Sequence, residues 1–272
     1  MRYSSALMLL FGGAASVSAT NGRNKAHACT AVDASAVAHT GTPVGKEVVY
    51  NNITLYISKP DSDARKTKAD TAVLYLTDVF GIQLKENKLL ADSFARAGYL
   101  TIAPDLFAGV PAPGDLNVPG FNTTAFLNAH NAAVTDPIIA TAIEYLKKKL
   151  DVKRIGVTGY CFGGRYAFRF VSAGKGADVA FTAHPSLLED SEILAIKGPA
   201  AIAAAETDNM LTPARRAEVE ALLKNTTLPY NVALYSGTQH GFGVRANVSD
   251  PIQKFGKETA FLQAVRWFDY FL

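Results

Sequence analysis

Short apolar runs recur along the chain without polar alternation: Thr71–Leu76, Tyr99–Ala103, Arg154–Tyr160, Asp178–Ala183, Gly198–Ala205 and Tyr230–Tyr235. Strands that are buried on both faces read this way, because neither face meets water. Between them lie segments with helical spacing. Asn87–Ala97 is one, stopped by Gly98 as a C-terminal cap. Asp136-Pro137 opens another that runs to Leu150, with Ile139, Ile143, Leu146 and Leu150 on one stripe. Asp250-Pro251 caps a closing helix that buries Phe261, Val265, Phe268 and Leu272. Ahead of these, Lys46–Tyr50 and Thr54–Ser58 form a hairpin around Asn51-Asn52. Residues 107–124 are a Gly/Pro-rich loop, either the border of a pocket or a surface excursion. Strands separated by helices predict an α/β domain over residues 46–272, with a mainly parallel central sheet and helices on both faces. There is no internal repeat and no second domain.

One strand ends in chemistry. Arg154–Tyr160 runs into Cys161-Phe162-Gly163-Gly164 and then a helix from Arg165 to Val171, with Gly159 two residues before the cysteine. This is the nucleophile-elbow pattern, glycine–x–nucleophile–x–glycine, with cysteine in the usual place of serine. The turn is so tight that its neighbours two positions away have almost no room for a side chain, which Gly159 and Gly163 satisfy. A buried core cysteine beside a glycine-rich turn is the plainer reading of the same residues. A catalytic cysteine needs a base, and the base needs an orienting group. In α/β-hydrolases the order is nucleophile, acid, histidine. Here the strand 198–205 ends in Glu206-Thr207-Asp208, and the strand 230–235 is followed by a loop, Ser236–Phe242, that carries His240. Asp208 and His240 thus follow strand ends on the side of the sheet where such folds bind ligands. Glu206 is a rival for the acid. Asp208 as a helix N-cap ahead of Thr212-Pro213-Ala214, and His240 as a solvated loop residue, are the alternatives that make neither catalytic.

Composition narrows the class. The chain has 272 residues, 49% of them apolar, enough for a large core. Charged residues make up 19%, the formal net charge is +3, and the lysines are scattered or sit at helix ends such as Lys147-Lys148-Lys149. This gives no case for nucleic acid as a partner. There is no phosphate loop, dinucleotide fingerprint or metal-spaced cluster, so no cofactor and no metal are expected. Two cysteines exclude a disulfide framework.

The N-terminus predicts a destination. Met1-Arg2, the apolar run Ala6–Phe11 and the small residues ending Val17-Ser18-Ala19 read as a signal peptide, residues 1–19, cut after Ala19, the alternatives being a frayed tail or a short organellar leader. Four N-x-S/T sequons, at Asn52, Asn122, Asn225 and Asn247, agree with a secreted glycoprotein. No other apolar run is long enough to span a membrane. Residues 20–45, rich in Ala, Thr, Gly and Ser, predict a loosely structured arm. It holds Cys29, which pairs with another chain or stays free; a bridge to Cys161 would abolish the proposed activity.

Taken together, Thr77-Asp78-Val79-Phe80-Gly81, Pro104-Asp105-Leu106-Phe107, Gly159–Gly164, Ala183-His184-Pro185, Glu206-Thr207-Asp208 and His240-Gly241-Phe242 resemble the dienelactone hydrolase family, and its fungal members most of all. The likeness covers residues 28–272. It implies an α/β-hydrolase fold and a Cys-His-Asp triad without cofactor: Cys161 as nucleophile, His240 as base, Asp208 as acid, and the N–H groups of Phe162 and Val79 as oxyanion hole. Two departures stand out. Where the bacterial enzymes place a glutamate that pairs with the thiol, this chain has Asp78, one methylene shorter; it either takes that role or orders the adjacent loop. Where they place an arginine that holds the substrate carboxylate, this chain has Gly109. Arg245 is left to supply the other leg of a clamp, to hold Asp78, or to sit on the surface.

The resulting expectation is an esterase that opens lactones or activated carboxylic esters through a cysteine thioester. Two competing readings are a secreted hydrolase-fold protein that binds a small molecule without turnover, and a thiol redox protein, which lacks a resolving cysteine near Cys161.

Overall fold

Five of the six apolar runs become buried strands of one sheet, whereas Tyr230–Tyr235 becomes an edge strand and is largely exposed, because only one neighbour covers it. The computed structural model describes residues 33–272, apart from the side chains of residues 64–66. The expected leader, the first part of the arm and Cys29 lie outside the described residues. The strands are β1 (Lys46–Tyr50), β2 (Ile53–Ser58), β3 (Thr71–Leu76), β4 (Leu100–Pro104), β5 (Arg154–Tyr160), β6 (Val179–Ala183), β7 (Ala200–Thr207) and β8 (Tyr230–Gln239). Their order is β1-β2-β4-β3-β5-β6-β7-β8. β1, β2 and β4 pair antiparallel and every other pair is parallel. The chain leaves β3 for β4 on one side and returns as β5 on the other. The sheet therefore has a switch point between the carboxyl ends of β3 and β5, where open α/β sheets form a crevice.

Side-chain alternation divides the core between the two faces. On β3, Ala72, Leu74 and Leu76 join Ile102, Ile139, Leu146, Val157 and Phe168 on one face. Val73 and Tyr75 join Phe94, Phe181, Phe261, Val265 and Phe268 on the other. The helices that cover these faces are α1 (Ser62–Thr67), α2 (Lys85–Arg96), α3 (Thr123–Ala129), α4 (Ala132–Lys149), α5 (Phe162–Phe170), α6 (Asp190–Leu194), α7 (Pro213–Asn225), α8 (Phe242–Arg245) and α9 (Pro251–Phe271). Phe261, Val265 and Phe268 of α9 are buried, whereas Leu272 is only partly so.

Local signals set most boundaries. Asn51 and Asn52 both take positive φ, 48° and 63°, as a tight hairpin turn requires. Gly98 closes α2 at φ 94°, its N–H and that of Tyr99 returning to Ala95 and Phe94. Asp250 accepts from the N–H of Ile252 at 2.9 Å and opens α9. α4 departs from expectation. It starts at Ala132, capped by Asn131, and carries Pro137 inside it. Asp136 is not its cap; its carboxylate instead binds Arg169 at 2.8 Å and Lys175 at 2.7 Å. Pro137 is the sixth residue of α4, so it leaves the Ala133 carbonyl without the hydrogen bond that an N–H at this position would donate.

β8 also differs: it runs on to Gln239 past a register shift opposite Ala205/Thr207, so most of the expected loop 236–242 is strand. Gly237, at φ 69°, donates its N–H to Glu206 at 2.7 Å and lets the strand resume. Of the arm, residues 33–45 lie along α2 and α9. Val37 is buried, Ala38 N–H donates to Ser93, Val44 N–H to Asp92, and His39 meets Glu258 at 2.7 Å.

Candidate active site

Cys161 sits between β5 and α5 at φ 51° and ψ −112°, a strained conformation for any residue with a side chain. Sterics explain the flanking glycines. A Cβ on Gly159 would lie 2.2 Å from the Gly163 carbonyl oxygen, and one on Gly163 would lie 2.3 Å from that of Leu76. Both contacts are with backbone, so no rotamer change relieves them. The thiol of Cys161 is free and 9% of the residue is exposed. Its sulfur lies 3.7 Å from the Ser186 hydroxyl in the loop after β6.

Two unengaged donors lie beside it. The N–H of Phe162 opens α5, where no earlier carbonyl can reach it. The N–H of Val79 lies in the turn after β3, and among the described residues neither donor has a hydrogen-bond partner. The turn is held by Gly81 N–H on Asp78 O, Gly163 N–H on Thr77 O and Ala112 N–H on Val79 O. β3 and β5 are neighbours across the switch point, so these two N–H groups are brought to one crevice.

β7 and β8 bring the carboxylate and the imidazole together. His240 Nδ1 donates to Asp208, 2.9 Å from Oδ2 and 3.0 Å from Oδ1. Asp208 is 7% exposed, and its Oδ1 also accepts the N–H groups of Met210 and Leu211. Burial pushes its carboxyl upward, but His240 and those N–H groups outweigh it and leave the pKa below the ordinary carboxylate value. For His240, burial favours the neutral ring, yet the Asp208 carboxylate and the Cys161 sulfur push its pKa up to about 10. The ring is thus coupled to both groups. Glu206 is elsewhere: exposed, it accepts from Gly237 N–H and lies 3.4 Å from the Ser236 hydroxyl. The bulge that ends regular pairing turns Asp208 rather than Glu206 toward the histidine.

Asp78 is fully buried. Its Oδ1 accepts from Asn87 Nδ2 at 2.8 Å and Phe80 N–H at 3.2 Å, and its Oδ2 from Arg245 Nε at 3.1 Å. Burial raises its pKa; Arg245, Asn87 and the Phe80 N–H counter only part of the rise. Arg245 also lies over the Phe80 ring, 4.6 Å from its centroid. Gly109 donates its N–H to Asp105 at 2.7 Å, and open space surrounds the position of a Cβ there. The segment that follows packs aromatic rings against the elbow. Phe107 lies 5.4 Å from Phe162 and 5.0 Å from His130, and Phe126 lies 4.3 Å from His130. A cavity of about 300 Å³ opens beside Phe162, lined also by Leu127, His130, Tyr166 and Leu187 and by the polar Thr124, Asn128 and Asn131, but not by Cys161 or His240. Arg165 at its edge is bound to Glu192 at 2.8 Å and to Glu189.

Three residues near the site were not assigned a role from sequence. Asn87 joins the loop to Asp78. Ser186 touches the sulfur. His184, at φ 39°, is completely buried, neither ring nitrogen has a hydrogen-bond partner among the described residues, and its ring lies 5.1 Å from that of His240 in an edge-to-face contact. Burial, reinforced by the positive charges of His240 and Arg245, keeps His184 neutral. Ala183-His184-Pro185 enters the family resemblance only as a motif, and nothing in its spacing points to the ring's position.

A mainly parallel eight-stranded sheet with an elbow after β5 and an acid and histidine after β7 and β8 defines an α/β-hydrolase. The chain belongs to the dienelactone hydrolase family, whose sequence profile matches residues 53–272. It is similar to the hydrolase pyvD of Aspergillus violaceofuscus, 38% identical over 234 residues, which covers 86% of this chain and 93% of that protein. The hydrolase tropI of Talaromyces stipitatus is 37% identical over 241 residues, with 86% and 93% covered. In fold, a putative dienelactone hydrolase from Klebsiella pneumoniae superposes with a TM-score of 0.64 at 17% identity, covering 83% of this chain and 98% of that one. The chain is accordingly a hydrolase of carboxylic esters or lactones. Among the described residues no helix is long and apolar enough to cross a membrane.

Proposed function

We propose that the chain hydrolyses lactones or activated esters through a thioester on Cys161, with His240 and Asp208 completing a triad. The observation that carries this is geometric: the imidazole of His240 is held on the Asp208 carboxylate at 2.9 Å after β7 and β8, with the strained Cys161 of the elbow, φ 51°, near enough for its sulfur to help raise the imidazole's pKa. Asp208 fixes the proton on Nδ1, which leaves Nε2 for the thiol. The sulfur, having passed its proton to His240, attacks the acyl carbon. The carbonyl electron pair moves onto oxygen, where the N–H groups of Val79 and Phe162 receive it; such donors are worth roughly 3–4 kcal/mol each. The tetrahedral species collapses as the C–O bond to the leaving group breaks and His240 returns the proton to that oxygen. Water, deprotonated by His240, then cleaves the thioester.

Thiolate is a better leaving group than alkoxide, so collapse back to substrate competes with cleavage. Lactones and esters whose leaving oxygen is an enol or a phenol overcome this; alkyl esters and amides do not. Arg245 Nε is bound to Asp78, Arg165 is bound to Glu192 and Glu189, and Gly109 has no side chain. The aromatic walls beside Phe162 complete a site suited to an uncharged substrate. Acid quenching during turnover of an aryl ester should leave the acyl mass on the Cys161 peptide, removable by hydroxylamine. A neutral lactone should be turned over with a kcat/KM about tenfold or more above that of its carboxylated analogue, the discrimination expected when a charge meets no partner. No adduct on Cys161, or a preference for the carboxylate, would contradict the reading.

The leader and sequons support a secreted glycoprotein, and all four sequon asparagines are exposed. N-terminal sequencing of protein from the culture medium should start at Thr20, and N-glycosidase should lower its mass. An intact Met1 in a purely intracellular protein would refute this.

A further inference from the structure

The loop after β6 is built with more constraint than a connection to α6 needs. His184 and Leu187 both hold positive φ, 39° and 59°, on either side of Pro185-Ser186. Leucine does not favour that region and histidine adopts it only in a minority of cases, so packing must enforce the pair. The enforcing contacts converge on the elbow. Cys161 N–H donates to Ala183 O at 3.3 Å, His184 N–H to Ala203 O at 2.8 Å, and Ser186 N–H to Cys161 O at 3.0 Å. Gly164 is the second glycine after the cysteine, and the elbow pattern does not require it. A Cβ there would lie 2.7 Å from the Pro185 side chain and 2.9 Å from its Cα. The glycine therefore lets the loop press against α5.

The outcome of this arrangement is the position of one hydroxyl. Ser186 is 4% exposed, and its Oγ lies 3.7 Å from the Cys161 sulfur with no other hydrogen-bond partner among the described residues. Asp78, the other polar group considered for the thiol, has both oxygens engaged by Asn87, Phe80 N–H and Arg245.

We infer that Ser186 is a catalytic residue whose hydroxyl donates a hydrogen bond to the Cys161 thiolate. The inference rests on Cys161 being the nucleophile. The O–H stabilises the sulfur anion once its proton has passed to His240. It acts again in deacylation: when the C–S bond of the tetrahedral intermediate breaks, the electron pair goes to sulfur and the hydroxyl receives it. It does not donate to the carbonyl oxygen, which belongs to Val79 and Phe162. A hydrogen bond to a buried anion is stronger than a neutral one, so its loss is measurable.

The experiment compares Ser186→Ala, Cys161→Ala and the unmodified enzyme by iodoacetamide labelling across pH and by aryl-ester kinetics. Ser186→Ala should slow Cys161 labelling at pH 6 about fivefold or more, with the same plateau rate at high pH. It should lower kcat about tenfold with KM unchanged and the melting temperature retained. A merely structural serine would not move the low-pH labelling rate alone. Labelling and kcat within twofold of the unmodified enzyme, alongside an inactive Cys161→Ala, would overturn the role of Ser186 and leave the thioester route standing. An active Cys161→Ala would overturn both.

Discussion

Cys161→Ala is expected to lower kcat/KM for an activated aryl ester by on the order of 10⁴-fold or more, with the fold intact. In the proposed route the change removes the only protein atom that bonds to the acyl group. The N–H groups of Val79 and Phe162 remain, so a residual rate above that of the uncatalysed reaction should persist. Folding should survive because alanine takes the same backbone and replaces a small side chain next to Ser186. Asp208→Asn is expected to lose a comparable factor by another route. The amide can hold His240 in the opposite tautomer, with its proton turned away from Nδ1 and toward the sulfur. The two losses should not multiply: the double variant should be no slower than Cys161→Ala, because the histidine has nothing left to activate. Full hydrolysis by Cys161→Ala would refute the assignment; a multiplicative double variant would show that Asp208 acts apart from the cysteine.

The second large effect is on stability. Arg245→Met is expected to cost about 3 kcal/mol at neutral pH, because it leaves the fully buried Asp78 carboxylate without its cation. The value belongs at the low end for such a loss, since the Arg245 side chain is 35% exposed and water can follow it in. The loss should depend on pH with a defined sign. Asp78 holds its proton more tightly in the folded chain than its ordinary carboxyl value, through burial, so its ionisation costs stability as pH rises from that ordinary value, about 4, through the folded one. Arg245 offsets that cost. The variant should therefore fall below the unmodified enzyme progressively as pH rises through that window, and least at acid pH where the carboxyl is neutral. Adding Asp78→Asn should recover part of the loss at neutral pH, since a neutral amide needs no guanidinium. Urea unfolding at several pH values reads both effects. A pH-independent loss, simply additive with Asp78→Asn, would show that Arg245 acts through packing on Phe80 instead.

How much of this was legible in the chain follows from the range of each interaction. β3, β5 and β7 could be read because a strand buried on both faces must be apolar at every position. The elbow could be read because its glycines answer a steric demand of adjacent residues, seen in the contacts a Cβ at Gly159 or Gly163 would make. α4 was misread at its start because Asp136-Pro137 fits a helix N-terminus equally well, whereas the carboxylate is drawn to Arg169 and Lys175. α3 and α6 are short and partly exposed, with too little periodicity to separate them from loop.

The sequence by itself determined the buried parallel sheet, the strained cysteine at the end of β5, and the order cysteine, acid, histidine. Each follows from local sterics or from which residues tolerate burial. Only the tertiary structure decided which carboxylate meets His240, what holds Asp78 and what touches the sulfur. Glu206 and Asp208 are two residues apart and chemically alike; a bulge in the β7–β8 register separates them. Asp78 and Arg245 lie 167 residues apart, Asp208 and His240 32, and Cys161 and Ser186 25. Those pairings are made by strand order and loop packing across the whole sheet, and no local pattern of residues carries them.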